Sequence, residues 1–188
     1  MAISKKDKVL QTALKMVASG GFHASPMSEV ARRSGVAVGT IYHYYATKDD
    51  MICDLYLLCK SHMSEAMVKS LQKEGKIRER FENLWKALYT HYINNPFEFS
   101  FLQQYHNSPF VGKETETESE KYYAAVIDFF KAGIKKGSIR KSDITVLTEF
   151  LYAAVTAAVN THLSKNKKNL TKKDIADFVE MSWSAIKP

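Results

Sequence analysis

Apolar residues recur at helical spacing along almost the whole chain. Near the N-terminus, Val9, Ala13, Leu14 and Val17 share one helical face, and the alternation of apolar and polar residues that is typical of strands is almost absent. The pattern predicts an all-α fold of about nine helices. Three short helices end near residue 45, and six more follow at about 48–75, 77–94, 97–105, 117–136, 143–165 and 172–186.

Polar residues and glycines mark the boundaries of the short helices. Ser4 and Asp7 have the spacing of a capping pair at the start of helix 1. Ser25 before Pro26 predicts an N-cap followed by the first residue of helix 2. Residues 34–36 (Ser-Gly-Val) form a tight turn before helix 3. Two short helices joined by a three-residue turn that contains glycine predict a helix-turn-helix motif.

The outward face of the third predicted helix carries small and hydrogen-bonding residues. With Ile41 taken as the inward direction, Gly39 and His43 point outward, and Thr40 and Tyr42 lie on the two sides. Glycine lets the backbone approach a groove closely, and hydroxyl and imidazole groups reach base edges and phosphates. We therefore expect this helix to contact the major groove of DNA.

The distribution of charge agrees with a polyanionic partner. The chain of 188 residues has a formal net charge of +7 from 27 basic and 20 acidic residues. Residues 1–48 contain seven Lys or Arg and two acidic residues, a net charge of +5 in the first quarter. Lys5, Lys6 and Lys8 form a basic arm that could add phosphate contacts, although a solvated helix end has the same composition.

The segment SPMSEVARRSGVAVGTIYHYYATKDDM, residues 25–51, resembles the tetracycline-repressor (TetR) family of bacterial transcription regulators. Helix 1 with its Gly-Gly-Phe end, residues 20–22, is also similar. The sequence departs from the family pattern at Ala37, where Ser is common, at Tyr45, where Phe is usual, and at residues 46–48 (Ala-Thr-Lys), where Ser-Lys is usual. The matching positions are Val30, Ala31, Ser34, Gly35, Val36, Gly39, Thr40, Tyr42, Tyr44 and Lys48.

The resemblance implies the architecture and the activity. It implies an N-terminal three-helix DNA-binding domain, residues 1–47, and a C-terminal helical bundle for effector binding and dimerisation, residues 48–188. It also implies a homodimer, a palindromic double-stranded operator, and release of DNA when a small-molecule effector binds, usually from a repressor. Within this frame, the expected DNA contacts are bases for Gly39, Thr40, Tyr42 and His43, and phosphates for Ser25, Met27 (through its backbone), Tyr44 and Lys48.

The last two helices predict the dimer interface. Helix 8 is apolar around most of its circumference, and such a helix is usually buried on two sides. One side would pack on its own domain and the other on a partner, in a four-helix bundle around a two-fold axis; the alternative is the central helix of a single core. The predicted interface residues are Leu151, Ala154, Ala157, Ala158, Ile175, Phe178, Val179 and Ile186.

Polar side chains on apolar faces of the C-terminal helices predict an effector pocket. A dry core would leave such groups without hydrogen-bond partners, whereas mostly apolar walls with a few polar groups are typical of a small-molecule site. The walls suggest a hydrophobic or aromatic effector. The predicted lining, between helices 4 to 8, is His62, Met63, Trp85, Leu88, His91, Phe101, Tyr105, Tyr122, Phe129, Tyr152 and Thr156. An aromatic core, or a polar row that faces solvent, is the alternative.

Other classes of protein are less well supported by the sequence. No phosphate loop, nucleophile elbow or zinc-spaced Cys/His set is found, so we expect no catalytic residues, no metal and no cofactor. The remaining alternatives are a helical ligand-binding or interaction protein without DNA binding, and a small helical enzyme. Cys53 and Cys59 face different directions on one helix and are not expected to pair. With neither a signal peptide nor an apolar run of membrane length expected, we predict a cytoplasmic protein with no membrane partner.

Overall fold

The computed structural model describes residues 3–72, 74–106, 121–164 and 169–188. These ranges contain nine α-helices and no strand, which confirms the predicted all-α class. Short 3-10 turns cover Phe22–Ala24 and Lys121–Tyr123. The helices are α1 (Lys5–Gly20), α2 (Met27–Ser34), α3 (Val38–Tyr44), α4 (Lys48–Leu71), α5 (Ile77–Asn94), α6 (Pro96–His106), α7 (Ala124–Lys135), α8 (Ile144–Leu163) and α9 (Lys172–Ile186).

Side-chain caps mark the starts of several helices. Ser4 and Asp7 form the predicted capping box of α1, and Thr171 with Asp174 forms another at the start of α9. Two predicted boundaries are wrong: α4 ends at Leu71 rather than near residue 75, and α7 begins at Ala124 after a 3-10 turn. The predicted acidic loop at residues 113–120 and the lysine-rich residues 165–168 lie outside the described residues.

The chain divides into two compact units. Unit 1 comprises residues 1–60 and 95–119, and unit 2 comprises residues 61–94 and 120–188. Helix α4 contributes residues to both units. The predicted functional division after residue 47 stays a prediction.

Unit 1 is built on α1. Its apolar face packs against α2, α3 and α6, and Val9, Ala13 and Val17 have no exposed surface. The hydroxyl of Ser100 on α6 donates to the carbonyl oxygen of Ala18 at 3.1 Å. This bond ties the last turn of α1 to α6. Cys53 and Cys59 form no disulfide bond with each other, as predicted.

Unit 2 is a bundle in which α5 packs on α8 and α9, and α7 packs on α8. Its core is aromatic and aliphatic: Phe81, Leu84 and Trp85 are fully buried. The Phe81 ring lies 5.5 Å from the ring of Trp183 on α9, measured between centroids. Burial of these large side chains is the main force that holds the bundle together.

Candidate nucleic-acid interface

Gly35 sets the turn between α2 and α3. It adopts a left-handed conformation with φ of 69°, which residues with a Cβ rarely adopt. Its N–H donates to the carbonyl oxygen of Ala31 at 3.1 Å and ends α2. Val36 is buried immediately after the turn, so the chain enters α3 with a fixed direction.

Helix α3 presents the predicted face to solvent. Ile41 has no exposed surface, whereas Tyr42 is 53% exposed and Gly39 and His43 are also exposed. Thr40 is partly exposed. A Cβ added to Gly39 would meet no atom within 4 Å. The protein's own packing therefore does not require glycine at this position, and the space outside it is open to a ligand.

Two of the predicted phosphate-binding side chains donate hydrogen bonds to the carbonyl oxygen of Phe22. The buried Ser25 hydroxyl donates to it at 2.9 Å, and the Lys48 ammonium group donates to it as well. Pro26, not Ser25, is the N-cap residue of α2, so the predicted Ser25 cap is wrong. The reason is that the Ser25 side chain turns back to the preceding 3-10 turn. Its hydroxyl offers no exposed atom to a phosphate, whereas Lys48 is partly exposed and the Met27 N–H lies at the start of α2, where N–H groups lack helical acceptors.

Glu29 binds both arginines of α2. Its carboxylate accepts hydrogen bonds from Arg32 at 2.6 and 2.8 Å and from Arg33 at 2.6 Å. The hydrogen bond from Arg32, and then that from Arg33, lowers the pKa of Glu29 from 4.5 to about 2. The carboxylate therefore stays ionised at neutral pH and offsets part of the charge of the two arginines.

The predicted pocket residues divide between the two units. Phe101 and Tyr105 are buried in unit 1, where the Tyr105 ring stacks on that of Tyr56 with centroids 4.0 Å apart. The other nine belong to unit 2. One cavity lined by all eleven stays a prediction.

Trp85 is a fully buried core residue of unit 2. Its Nε1 donates to the hydroxyl of Ser182 on α9 at 3.1 Å, and its ring stacks on that of Tyr89 with centroids 5.5 Å apart. The indole has one polar atom, and the contact with α9 satisfies it. The sequence could not show this because it did not say on which side of α5 the helix α9 packs.

The remaining predicted residues give unit 2 an apolar interior with polar groups. Thr156 is the clearest polar example: its hydroxyl oxygen is buried and has no hydrogen-bond partner among the described residues. Such a group costs stability unless water or a ligand binds it. His62 is exposed, which corrects its predicted inward position, because its side chain lies on the outer face of α4. The buried predicted residues are Met63, Leu88 and Phe129, and the partly exposed ones are His91, Tyr122, Tyr152 and Thr156.

Arg80 is a polar residue of unit 2 that the sequence analysis missed. Its guanidinium carbon lies 5.5 Å from the centroid of the Phe129 ring, and one Nη donates to the carbonyl oxygen of Leu71 at 3.2 Å. Its Nε is buried without a partner among the described residues. A signal was available, because Arg80 precedes the buried Leu84 and Leu88 at steps of four on the apolar face of α5.

Four of the eight predicted dimer residues are buried inside the subunit. Leu151, Ala158, Val179 and Ile186 are at most 3% exposed and leave no surface for a partner. Ala157 is exposed, while Ala154, Ile175 and Phe178 are partly exposed.

The apolar residues of these helices that face outward are a partly different set, which shares Ala157 with the predicted one. One row along α8, which we call the α8 strip, consists of Val146, Phe150, Ala153 and Ala157 at helical spacing. Val146 is 58% exposed, Phe150 is 38% exposed, and Met181 on α9 is 62% exposed. Helices α8 and α9 therefore carry apolar residues on their outward faces, whereas four of the eight chosen residues face inward. The dimer interface stays a prediction.

Helix α8 is long and apolar enough to cross a membrane by length and composition alone, and it is the single such helix among the described residues. This corrects the expectation that the chain has no apolar run of that length. Core helices of water-soluble proteins pass the same test, and the buried residues of α8 pack on α5, α7 and α9. The apolar residues of α8 that the subunit leaves exposed form the α8 strip.

Comparison with protein families identifies the class. The helix-turn-helix and the helical C-terminal part are those of a DNA-binding transcriptional regulator. Residues 9–54 match the model of bacterial regulatory proteins of the tetR family, and residues 76–187, more than half of the chain, match the tetracyclin repressor-like C-terminal domain. The chain belongs to the TetR family.

Individual relatives agree over nearly the full length. The chain is 24% identical over 174 residues to the fatty acid metabolism regulator protein of Bacillus subtilis, covering 86% of this chain and 84% of that protein. A tetR family transcription regulator from Shewanella sp. PV-4 has a TM-score of 0.90 at 24% identity and covers 99% of this chain and 100% of its own. FadR from Bacillus subtilis in complex with stearoyl-CoA has a TM-score of 0.73 at 18% identity and covers 94% and 95%.

Proposed function

We propose that this regulator is a homodimeric repressor that binds a two-fold symmetric operator and leaves it when an apolar effector binds to unit 2. The observation that supports DNA reading best is the exposed face of α3. Tyr42 is half exposed on a helix that is anchored by Ile41, and Gly39 leaves open space beside it. A tyrosine so exposed contributes little to the fold and is available for contact.

The proposal assigns base contacts to Gly39, Thr40, Tyr42 and His43. Tyr42→Ala or His43→Ala should weaken binding to the operator by about 1–3 kcal/mol and relax its sequence preference. Phosphate contacts are assigned to the Met27 N–H, Tyr44 and Lys48. No phosphate contact is assigned to Ser25, because the residue is fully buried and both its N–H and its hydroxyl donate to the carbonyl oxygen of Phe22.

The proposed dimer uses the α8 strip together with Met181. These apolar side chains lie on two helices that pack on each other within unit 2. A two-fold axis would place the same face of both subunits together and cover it. The dimer would then contain two DNA-binding units, one for each half-site of a palindromic operator.

The effector site is proposed within unit 2, between the inward faces of α5, α7, α8 and the part of α4 that belongs to this unit. Met63, Leu88 and Phe129 supply apolar contact area, and the unpartnered Thr156 hydroxyl supplies a hydrogen bond. Arg80 adds a positive charge beside Phe129. An acyl chain with an anionic headgroup fits this chemistry, and the stearoyl-CoA complex of FadR supports the choice of acyl-CoA as the class to test.

DNA binding is tested by selecting duplexes from a random library with the full-length protein. Enriched sequences should be palindromic and should shift in a gel at nanomolar protein. Gly39→Leu should abolish binding and leave the circular dichroism spectrum unchanged, because the side chain meets no protein atom. Ala46→Leu, an exposed substitution just beyond α3, is the matched control and should bind like the wild type. Absence of any enriched duplex would refute the proposal.

Effector release is tested with stearoyl-CoA and the selected duplex. Stearoyl-CoA should dissociate the complex and raise the thermal midpoint of the protein, since a ligand at 100 times its dissociation constant stabilises by about 2.7 kcal/mol. Coenzyme A without an acyl chain is the control. Arg80→Met should weaken the effect of stearoyl-CoA without changing DNA affinity in its absence; an equal effect on the variant would place the headgroup elsewhere.

A further inference from the structure

Asp54 on α4 accepts hydrogen bonds from two other elements of unit 1. The Tyr45 hydroxyl donates to Asp54 Oδ2 at 2.6 Å, and the Lys6 ammonium group lies 2.8 Å from the same oxygen. Lys6 Nζ also lies 5.6 Å from the centroid of the Tyr45 ring. The three side chains therefore form a closed set of contacts, which we call the Asp54 cluster.

Each member of the Asp54 cluster is fixed to a different helix. Tyr45 directly follows α3, and its N–H donates to the carbonyl oxygen of Ile41 at 2.9 Å. Lys6 is in the first turn of α1, and Asp54 is in the second turn of α4. The cluster thus joins the end of the proposed recognition helix to the start of α1 and to α4.

Within the Asp54 cluster, the hydrogen bond of the Tyr45 hydroxyl contributes most to stability. The side chains of Lys6 and Asp54 are 46% and 36% exposed, and exposed ion pairs contribute little. Tyr45 is only 5% exposed, so its hydroxyl would be buried without a hydrogen-bond partner if Asp54 did not accept its hydrogen bond. The aromatic ring alone would fill the space in the core, because phenylalanine is the residue usual at this position in the family pattern. The hydroxyl is therefore the additional feature of Tyr45.

We propose that Asp54 is a positioning residue that holds α3 in one orientation relative to α1 and α4. The inference rests on the proposed role of α3 in reading DNA. Base-edge contacts need a fixed helix orientation, whereas phosphate contacts by flexible side chains do not. Lys6 is accordingly a partner of Asp54 rather than a phosphate contact, which separates it from Lys5 and Lys8 in the basic arm.

The test compares Tyr45→Phe with the wild type on two duplexes of equal length, one selected by the wild-type protein and one random. Tyr45→Phe removes one oxygen and keeps the ring, the packing and the net charge. We expect its affinity for the selected duplex to fall about tenfold, corresponding to about 1.4 kcal/mol, and its affinity for the random duplex to stay unchanged. A merely structural role would lower the folded fraction and reduce both affinities together.

A double-mutant cycle with Asp54→Ala tests whether one bond is responsible. Tyr45→Phe should cause no further loss of specific affinity in the Asp54→Ala background, because alanine has already removed the acceptor. Lys6→Met should leave the salt dependence of random-duplex binding unchanged, whereas loss of a phosphate contact flattens it by about one unit.

Three results would overturn the inference. These are a selected-to-random affinity ratio of Tyr45→Phe within about twofold of the wild type, additive effects in the cycle, and a flattened salt dependence for Lys6→Met. Each leaves the proposed function standing if the wild-type protein still selects a duplex. If the wild type selects none, the proposed function fails and the inference fails with it.

Discussion

Phe150 on the α8 strip gives the sharpest test of the proposed dimer. Its side chain is 38% exposed in the subunit. The proposed two-fold interface would bury this exposed surface on each of the two subunits. Phe150→Ala removes most of the exposed ring area without adding a charge. We expect the variant to dimerise more weakly and, because one head alone makes half of the contacts, to bind the operator more weakly as well.

The expected magnitude follows from the exposed area. A phenylalanine buries roughly 200 Å² when fully covered, so the 38% that is exposed is about 80 Å². At about 25 cal/mol per Å², covering it contributes about 2 kcal/mol per subunit and about 4 kcal/mol per dimer. Alanine keeps part of this area, so a loss of about 3 kcal/mol, or roughly a hundredfold in the dimer dissociation constant, is expected.

Sedimentation equilibrium over nanomolar to micromolar concentrations measures this constant directly. Glu149→Ala, an exposed neighbour on the same helix but outside the α8 strip, is the control and should dimerise like the wild type. Circular dichroism checks that Phe150→Ala remains folded. A dissociation constant within about threefold of the wild type, or a wild-type protein that is monomeric at micromolar concentration, would refute the interface.

Three further predictions concern single residues. Lys48→Ala should weaken binding to selected and random duplexes alike and flatten the salt dependence by about one unit; a loss on the selected duplex alone would contradict a phosphate contact. The hydrogen bonds from Arg32 and Arg33 lower the pKa of Glu29 from 4.5 to about 2, so their stabilisation is present above pH 4.5 and is lost as the pH falls towards 2. Glu29→Gln should therefore lower the thermal midpoint at pH 7 more than at pH 2, and an equal decrease at both pH values would argue against this ion pairing. Thr156→Val should leave the midpoint unchanged or raise it, because it removes a buried hydroxyl without a partner among the described residues, and should reduce the shift caused by stearoyl-CoA; an unreduced shift would remove Thr156 from the site.

The sequence predicted the elements whose causes are local. Ser4 with Asp7 starts α1 where a capping pair was expected, Gly35 makes the turn before α3, and α9 has the predicted bounds of 172–186. The exposed face of α3 was also predicted, because one buried residue, Ile41, fixes the direction of the other side chains on a helix of two turns. Capping, positive φ and helical periodicity act over three or four residues, and a single sequence contains them in full.

Only the tertiary structure decided which partner each side chain meets. The Ser25 hydroxyl bonds to Phe22 instead of capping α2, Trp85 donates to Ser182 on α9, and Asp54 accepts from Tyr45 and Lys6. The same applies to α8, where periodicity showed an excess of apolar residues but not which of them unit 2 already buries. These outcomes depend on how helices distant in sequence pack on each other, since a partner is chosen by distance in space, and the spacing of residues along one helix carries no information about its neighbours.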